Sequence, residues 1–261
     1  MSAVVSSGRG ARPGVEGANS YGLGFALGGA ALGYVLGSVG VAAYDKASHV
    51  STGAVTFGGN VVSLFGLWIG FVGAAVLAVR SRPRPPGTSI LGSLRDELGF
   101  SIRPWPDIPL GVAVGLAAQL ALVPFLELPL LPFVPHLFHR ISQPARSLTD
   151  HVHGPGLVLI GVLVCVGSPI VEETFFRGLL LRSLIGVFVQ RSRRWAVVAA
   201  IVVTGVLFGL AHFEALELLA LSGFGMVLGV LATRSGRLGP GIVAHMSFNA
   251  LAFFTIASLR S

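Results

Sequence analysis

The chain has 261 residues, of which 53% are hydrophobic and only 11% charged, and its mean hydropathy is +0.80. Soluble domains carry roughly 25% charge, so the composition excludes an ordinary soluble enzyme, a disordered regulator and a nucleic-acid binder. The net charge of +7 points to membrane topology before nucleic acid, and the single Cys165 excludes an internal disulfide or a CxxC metal site.

Residues 1–20 are polar and glycine-rich and predict a disordered tail. They are not expected to form a signal peptide, because the first apolar run starts late and is too long for one. Seven segments then approach the roughly 20 apolar residues that a helix needs to cross a bilayer: 21–44, 54–79, 106–134, 156–181, 195–213, 215–233 and 239–259. Backbone polar groups in lipid must be satisfied within the segment, which makes these runs helices. They do not alternate as barrel strands do. The predicted fold is therefore all-α and polytopic, with about seven transmembrane helices. The segment 21–80 holds two N-terminal spans, 81–105 is a basic linker containing SRPRPPG, and 106–259 holds the remaining five. Gly29, Gly33 and Gly37, then Gly66/Gly70 and Gly111/Gly115, recur four apart and predict close-packed helix faces.

Arg9 and Arg12 in the tail, Arg80, Arg82, Arg84, Arg95 and Arg103 in the linker, Arg191, Arg193 and Arg194, and Arg234 and Arg237 all fall on one side of seven alternating spans. The positive-inside rule makes that side cytoplasmic. A multi-pass cell-membrane protein with a cytoplasmic N-terminus is expected, although Arg140 and Arg146 fall outside and dissent. Trp68, Trp105 and Trp195 are expected as interface anchors.

Ionisable side chains inside spans cost about 2.5–3.5 kcal/mol each at the bilayer centre, and three helices of the C-terminal half carry them. One contains Glu172-Glu173-x-x-x-Arg177, the next Phe208-x-x-x-His212, the last His245-x-x-x-Asn249. Glu173 and Arg177, four apart, neutralise each other on one face. Glu172 lies about 100° around the axis and needs a partner from another helix, for which His212 and His245 are available. A carboxylate, two imidazoles and an amide converging from three helices can activate water or hold a metal. Thr174 and Ser247 are expected to bond their own i−4 carbonyls.

These three motifs, in this order, resemble the CPBP family of intramembrane proteases, which includes the CAAX prenyl endopeptidases and the bacterial Abi and bacteriocin-processing proteins. The resemblance covers about 88–259, counting a weaker Leu98-Gly99-Phe100 match, and makes 106–259 the protease core. It implies an endopeptidase in which Glu172, aided by His212, activates water, while His245 and Asn249 hold the oxyanion. Glu173, Arg177 and Phe208 would be structural residues near the site. The family's metalloprotease class implies zinc or another divalent metal on Glu172, His212 and His245, with Glu and His working alone as the open alternative. The substrate would be a peptide or membrane protein met within the lipid bilayer, with no nucleic acid involved. The rival reading is a non-catalytic scaffold or bacteriocin-immunity-type protein, and a proton-coupled carrier ranks third. A separation of Glu172 and His245 beyond about 10 Å, out of reach of one bridging water, would remove the catalytic geometry. Glu172 and His212 fall at similar depth, but His245 starts close to the 234–238 turn on the same side, so either the fourth and fifth helices project past the membrane surface, the favoured expectation, or a span boundary is misplaced. The loop His136–His153, with His136, His139, Asp150, His151 and His153, is expected to be irregular and not a metal site. Cys165 is expected to be a packing residue.

Overall fold

The computed structural model describes residues 21–51, 56–83, 86–149, 152–189 and 192–258. The tail 1–20 with Arg9 and Arg12, and also Arg84, Asp150, His151 and Arg191, lie outside the described residues. Among the described residues all regular structure is helical. Seven stretches among the described residues are long and apolar enough to cross a membrane, as the composition predicts. Large apolar side chains such as Leu27, Val39, Ile69 and Leu120 are exposed, while Glu173, Arg177 and His245 are buried. This inside-out distribution is what an apolar solvent dictates.

Helices α1 (Tyr21–Ala47) and α2 (Phe57–Arg80) form an antiparallel pair. Thr56 caps α2, its hydroxyl accepting from the Gly59 N–H at 3.1 Å. The glycine faces meet as predicted: a Cβ on Gly70 would overlap the Gly29 carbonyl oxygen, and one on Gly33 would lie 2.9 Å from the Leu67 oxygen. The linker is not wholly irregular. It contains α3 (Ile90–Leu98), started by the Ser89 side chain on the Gly92 N–H and ended by Gly99 at φ +73°. Pro104–Leu130 forms the third span, built of α4 (Pro104–Ala117), a π-helical stretch Ala118–Leu122, α5 (Val123–Glu127) and a last 3-10 turn.

The expected irregular loop at 136–153 is instead mostly helix α6 (Leu137–Thr149). Its polar sequence and internal Pro144 hide the pattern, but one edge is apolar and Leu137 is buried. His136, His139 and His153 are exposed, and among the described residues no group of three or more His, Cys, Asp or Glu is placed to hold a metal.

The fourth span runs from Pro155 to Phe188, well past the predicted end at 181. At 1.5 Å per residue its 34 residues reach about 50 Å, longer than roughly 30 Å of hydrocarbon, whereas the fifth span, Arg193–Leu210, has 18 residues and reaches only about 27 Å. The fourth span is assembled from α7 (Pro155–Val162), a π stretch Leu163–Gly167, α8 (Ser168–Glu173), a second π stretch Thr174–Leu180 and α9 (Leu181–Phe188). Then follow α10 (Arg193–Leu210), α11 (Leu218–Ser235) and α12 (Gly239–Ser258). Gly111 and Gly115 of α4 lie against Val243 and Ala244 of α12, beside His245.

Trp105 and Trp195 are exposed near helix ends, as interface anchors should be. Trp68 is not an anchor. Its indole lies within the bundle against Gly167, where a Cβ would overlap it.

Candidate active site

The site begins with a proline. Pro169 has no N–H to donate, and just before it the ladder shifts to i+5, the Ser168 N–H bonding the Leu163 oxygen. The Val164 carbonyl thereby loses Ser168, its α-helical donor, and Pro169, the next residue along, offers none. Asn249 of α12 supplies the missing donor, Nδ2 to the Val164 oxygen at 2.9 Å. One turn further on, the second π stretch starts directly after Glu173. The acidic pair therefore sits between two widened segments, the kind of irregularity often found at functional sites.

From this helix Glu173 reaches Arg177, Oε1 to Nη1 at 2.8 Å, as the i, i+4 spacing predicts. The arginine also donates from Nη2 to the Gly225 oxygen at 2.9 Å and stacks its guanidinium over Phe208, 4.4 Å from the centroid. Fully buried, it is neutralised, hydrogen-bonded across to α11 and laid on an aromatic face, which is how a buried cation becomes tolerable.

Glu173 does more than its spacing suggests. The same Oε1 lies 3.1 Å from Nδ1 of His245. An ionised carboxylate accepts, so Nδ1 carries the hydrogen and the ring is locked with Nε2 facing the other way. Nε2 lies 3.9 Å from Oε2 of Glu172, far inside the 10 Å limit. That Oε2 is itself buried and has no hydrogen-bond partner. Glu172 thus finds its partner on another helix, and the partner is His245.

His212 lies beyond the end of α10, in a turn exposed on one side. Its Nδ1 donates to the Phe208 oxygen at 2.7 Å; a carbonyl can only accept, so Nε2 keeps its lone pair when the ring is neutral. Phe208 separates the two histidines, its centroid 4.7 Å from that of His212 and 5.5 Å from that of His245. Phe213 follows at φ +56°, a conformation uncommon for a bulky side chain. Beside this turn, burial followed by the nearby Glu127 and Glu214 carboxylates pushes the Glu217 carboxyl up to about 7. Thr174 and Ser247 bond the Ile170 and Val243 carbonyls, as expected of hydroxyls in helices.

Two features frame the site. The Leu98-Gly99-Phe100 segment docks on the α11–α12 turn: Leu238 and Gly239 donate to the Gly99 and Ser101 oxygens at 2.8 and 3.1 Å, and Arg182 donates to the Gly236 oxygen at 3.0 Å. Buried Asp107 pairs with Arg237 of the same turn, and its other oxygen accepts from the Arg103 N–H at 2.7 Å. These bonds fix where α12 starts, and so where His245 stands. On the opposite side, Phe71 of α2 stacks on Phe175 with centroids 3.9 Å apart. There an apolar cavity of about 290 Å³ opens between α1, α2, the second π stretch and the end of α10.

Glu172 and His245 are brought together directly, with Glu173 and Arg177 behind them and His212 across Phe208. Asn249 points its Nδ2 into the helix backbone. Among the described residues no three His, Cys, Asp or Glu side chains cluster for a metal. Glu173 as the orienter of His245 was not legible from spacing, since the contact spans 72 positions in sequence.

The fold and this centre define a polytopic membrane protein with a buried Glu–His site in its C-terminal half. The model of the Rce1-like family, type II CAAX prenyl endopeptidases, matches residues 154–251, which contain all three motifs. Over these residues the chain is similar to that family, which lies within the CPBP group, and is CAAX protease-like. Comparison with curated proteins and with solved structures finds no match.

Proposed function

We propose that the protein is an intramembrane endopeptidase in which Glu172 is the general base. The observation that carries this is the buried, unbonded Oε2 of Glu172 facing the His245 Nε2 at 3.9 Å, with the ring held from behind by Glu173. Ionised Glu172 and Glu173 balance Arg177 and a doubly protonated His245, so the four groups are together neutral. In that state Glu172 takes a proton from water as its oxygen attacks the scissile carbonyl carbon. His245 then donates from Nε2 to the oxyanion. Collapse of the tetrahedral intermediate breaks the C–N bond, and the proton on Glu172 passes to the leaving amine. His212 aids the deprotonation through its free Nε2. Asn249 serves this chemistry by bracing the helix that carries Glu172.

The chain's own side chains supply each of these proton movements. The substrate is a peptide or membrane protein that presents an apolar group to the 290 Å³ cavity beside the site. The arginine-rich loops support a cytoplasmic N-terminus by the positive-inside rule.

The test is quantitative proteomics of peptide termini in cells carrying wild type or Glu172→Gln, which keeps the shape and removes the base. Termini present only with the wild type are expected. An identical set in both, with the variant expressed equally, would overturn the reading and favour a scaffold.

A further inference from the structure

The family match starts at residue 154, yet the turn bearing His212 is held from α1. Tyr34 of α1 donates its hydroxyl to the Ala211 oxygen at 2.7 Å, across 177 positions of sequence. Ala211 ends α10, so its carbonyl is one of the helix-end acceptors left without an intrahelical donor. The Tyr34 ring also meets Phe213 edge to face, with centroids 5.3 Å apart. Tyr34 therefore grips the residue before His212 through a hydrogen bond and the residue after it through an aromatic contact. Between them the backbone adopts the uncommon positive φ at Phe213, which persists only where its surroundings enforce it.

The grip is itself rigidly mounted. The α1 backbone is fixed on α2 by the glycine contact at Gly29, Gly33 and Gly70, and α2 is stacked through Phe71 on Phe175, three residues from Glu172. A continuous packed path thus ties Tyr34 to the helix of the base.

From this geometry we infer that Tyr34 is a positioning residue for His212, and that the N-terminal helix pair is a working part of the site and not an added anchor. The inference rests on the proposed role of His212, and its test reads the histidine directly. Full-length protein with ¹³Cε1-labelled histidine, in detergent micelles, is titrated by NMR as wild type, Tyr34→Phe and Tyr44→Phe; His212→Gln assigns the resonance. Tyr44 lies on the same helix, against Gly58, and serves as the control.

Tyr34→Phe is expected to broaden or split the His212 signal and move its titration midpoint, with thermal unfolding and the His245 signal unchanged; Tyr44→Phe is expected to leave both histidines as in wild type. An unaltered His212 signal in Tyr34→Phe, or an equal change in Tyr44→Phe, would overturn the inference. With a cleaved peptide, Tyr34→Phe lowers kcat about tenfold at unchanged KM, the scale of one lost hydrogen bond; a rise in KM alone would contradict positioning. A wild type without any turnover sinks the protease reading while the NMR comparison still decides the role of Tyr34.

Discussion

Both halves of the molecule pack helices closely on glycine, but only the C-terminal half adds buried polar joints between them. Helices α1 and α2 meet backbone to backbone, Gly70 lying against Gly29 and Gly33 with no room for a Cβ. In the C-terminal half, glycine contacts such as Gly205 on Gly225 and Gly115 on Ala244 are joined by polar side chains: Arg177 to the Gly225 oxygen, Glu173 to His245, Asn249 to the Val164 oxygen. Glycine contact gives rigidity without chemistry. Buried polar joints cost desolvation, but they place reactive atoms. The contrast separates a frame from a site, and Tyr34 is the point where the frame reaches in.

The strongest way to break this contrast is Arg177→Met. It leaves Glu173 buried without its cation, and stability should fall by about 3–5 kcal/mol, read as a lowered thermal midpoint in detergent. Adding Glu173→Gln should recover part of the loss. A neutral Arg177→Met would mean that the polar joint carries no structural weight. On the other side, Gly70→Ala forces a methyl group into the Gly29 carbonyl and should cost about 1–3 kcal/mol. The same scan measures it, and an unchanged midpoint would dismiss the glycine contact.

A smaller effect concerns the edge of the site. The Glu217 carboxyl stands at about 7 in the fold against an ordinary 4.5, so the folded state binds its proton more tightly than the unfolded one. Its contribution to stability is complete below about pH 4.5 and is lost as the pH rises through about 7. Glu217→Gln should therefore raise the thermal midpoint at pH 8 by an amount worth about 1–2 kcal/mol and do little at pH 4.5. A gain confined to low pH would reverse the sign and refute it. The smallest effect is Asn249→Ala, about 1 kcal/mol for the orphaned carbonyl. In a Pro169→Ala background, where position 169 regains an N–H, that cost should shrink. Strict additivity of the two substitutions in a double-mutant cycle would refute the bracing role.

How much of this was legible in the sequence follows from the same physics. Length and apolarity suffice for spans, and seven of them are found. Charge inside lipid is conspicuous, so Glu172, His212 and His245 stood out, and Glu172 does meet His245. Other elements were hidden for identifiable reasons. Helix α6 carries few apolar residues and an internal Pro144, and its composition reads as loop. Helix α3 was signalled by Ser89 and Gly99, but at nine residues it fell below any length threshold. The two π stretches around Glu172 and Glu173 depend on which carbonyl finds a donor; Pro169 marks the place and nothing local marks the outcome. Glu173 and Tyr34 were unreadable because their partners lie 72 and 177 positions away, and only the assembled bundle shows what their polar atoms reach.

The most direct measurement is turnover by purified protein, wild type against Glu172→Gln, on a peptide built from a terminus that the proteomic comparison identifies. Loss of a general base predicts a fall in kcat of about 10²–10⁴-fold, with KM and the thermal midpoint unchanged. Equal turnover by the two proteins would contradict the assignment of Glu172 as the base.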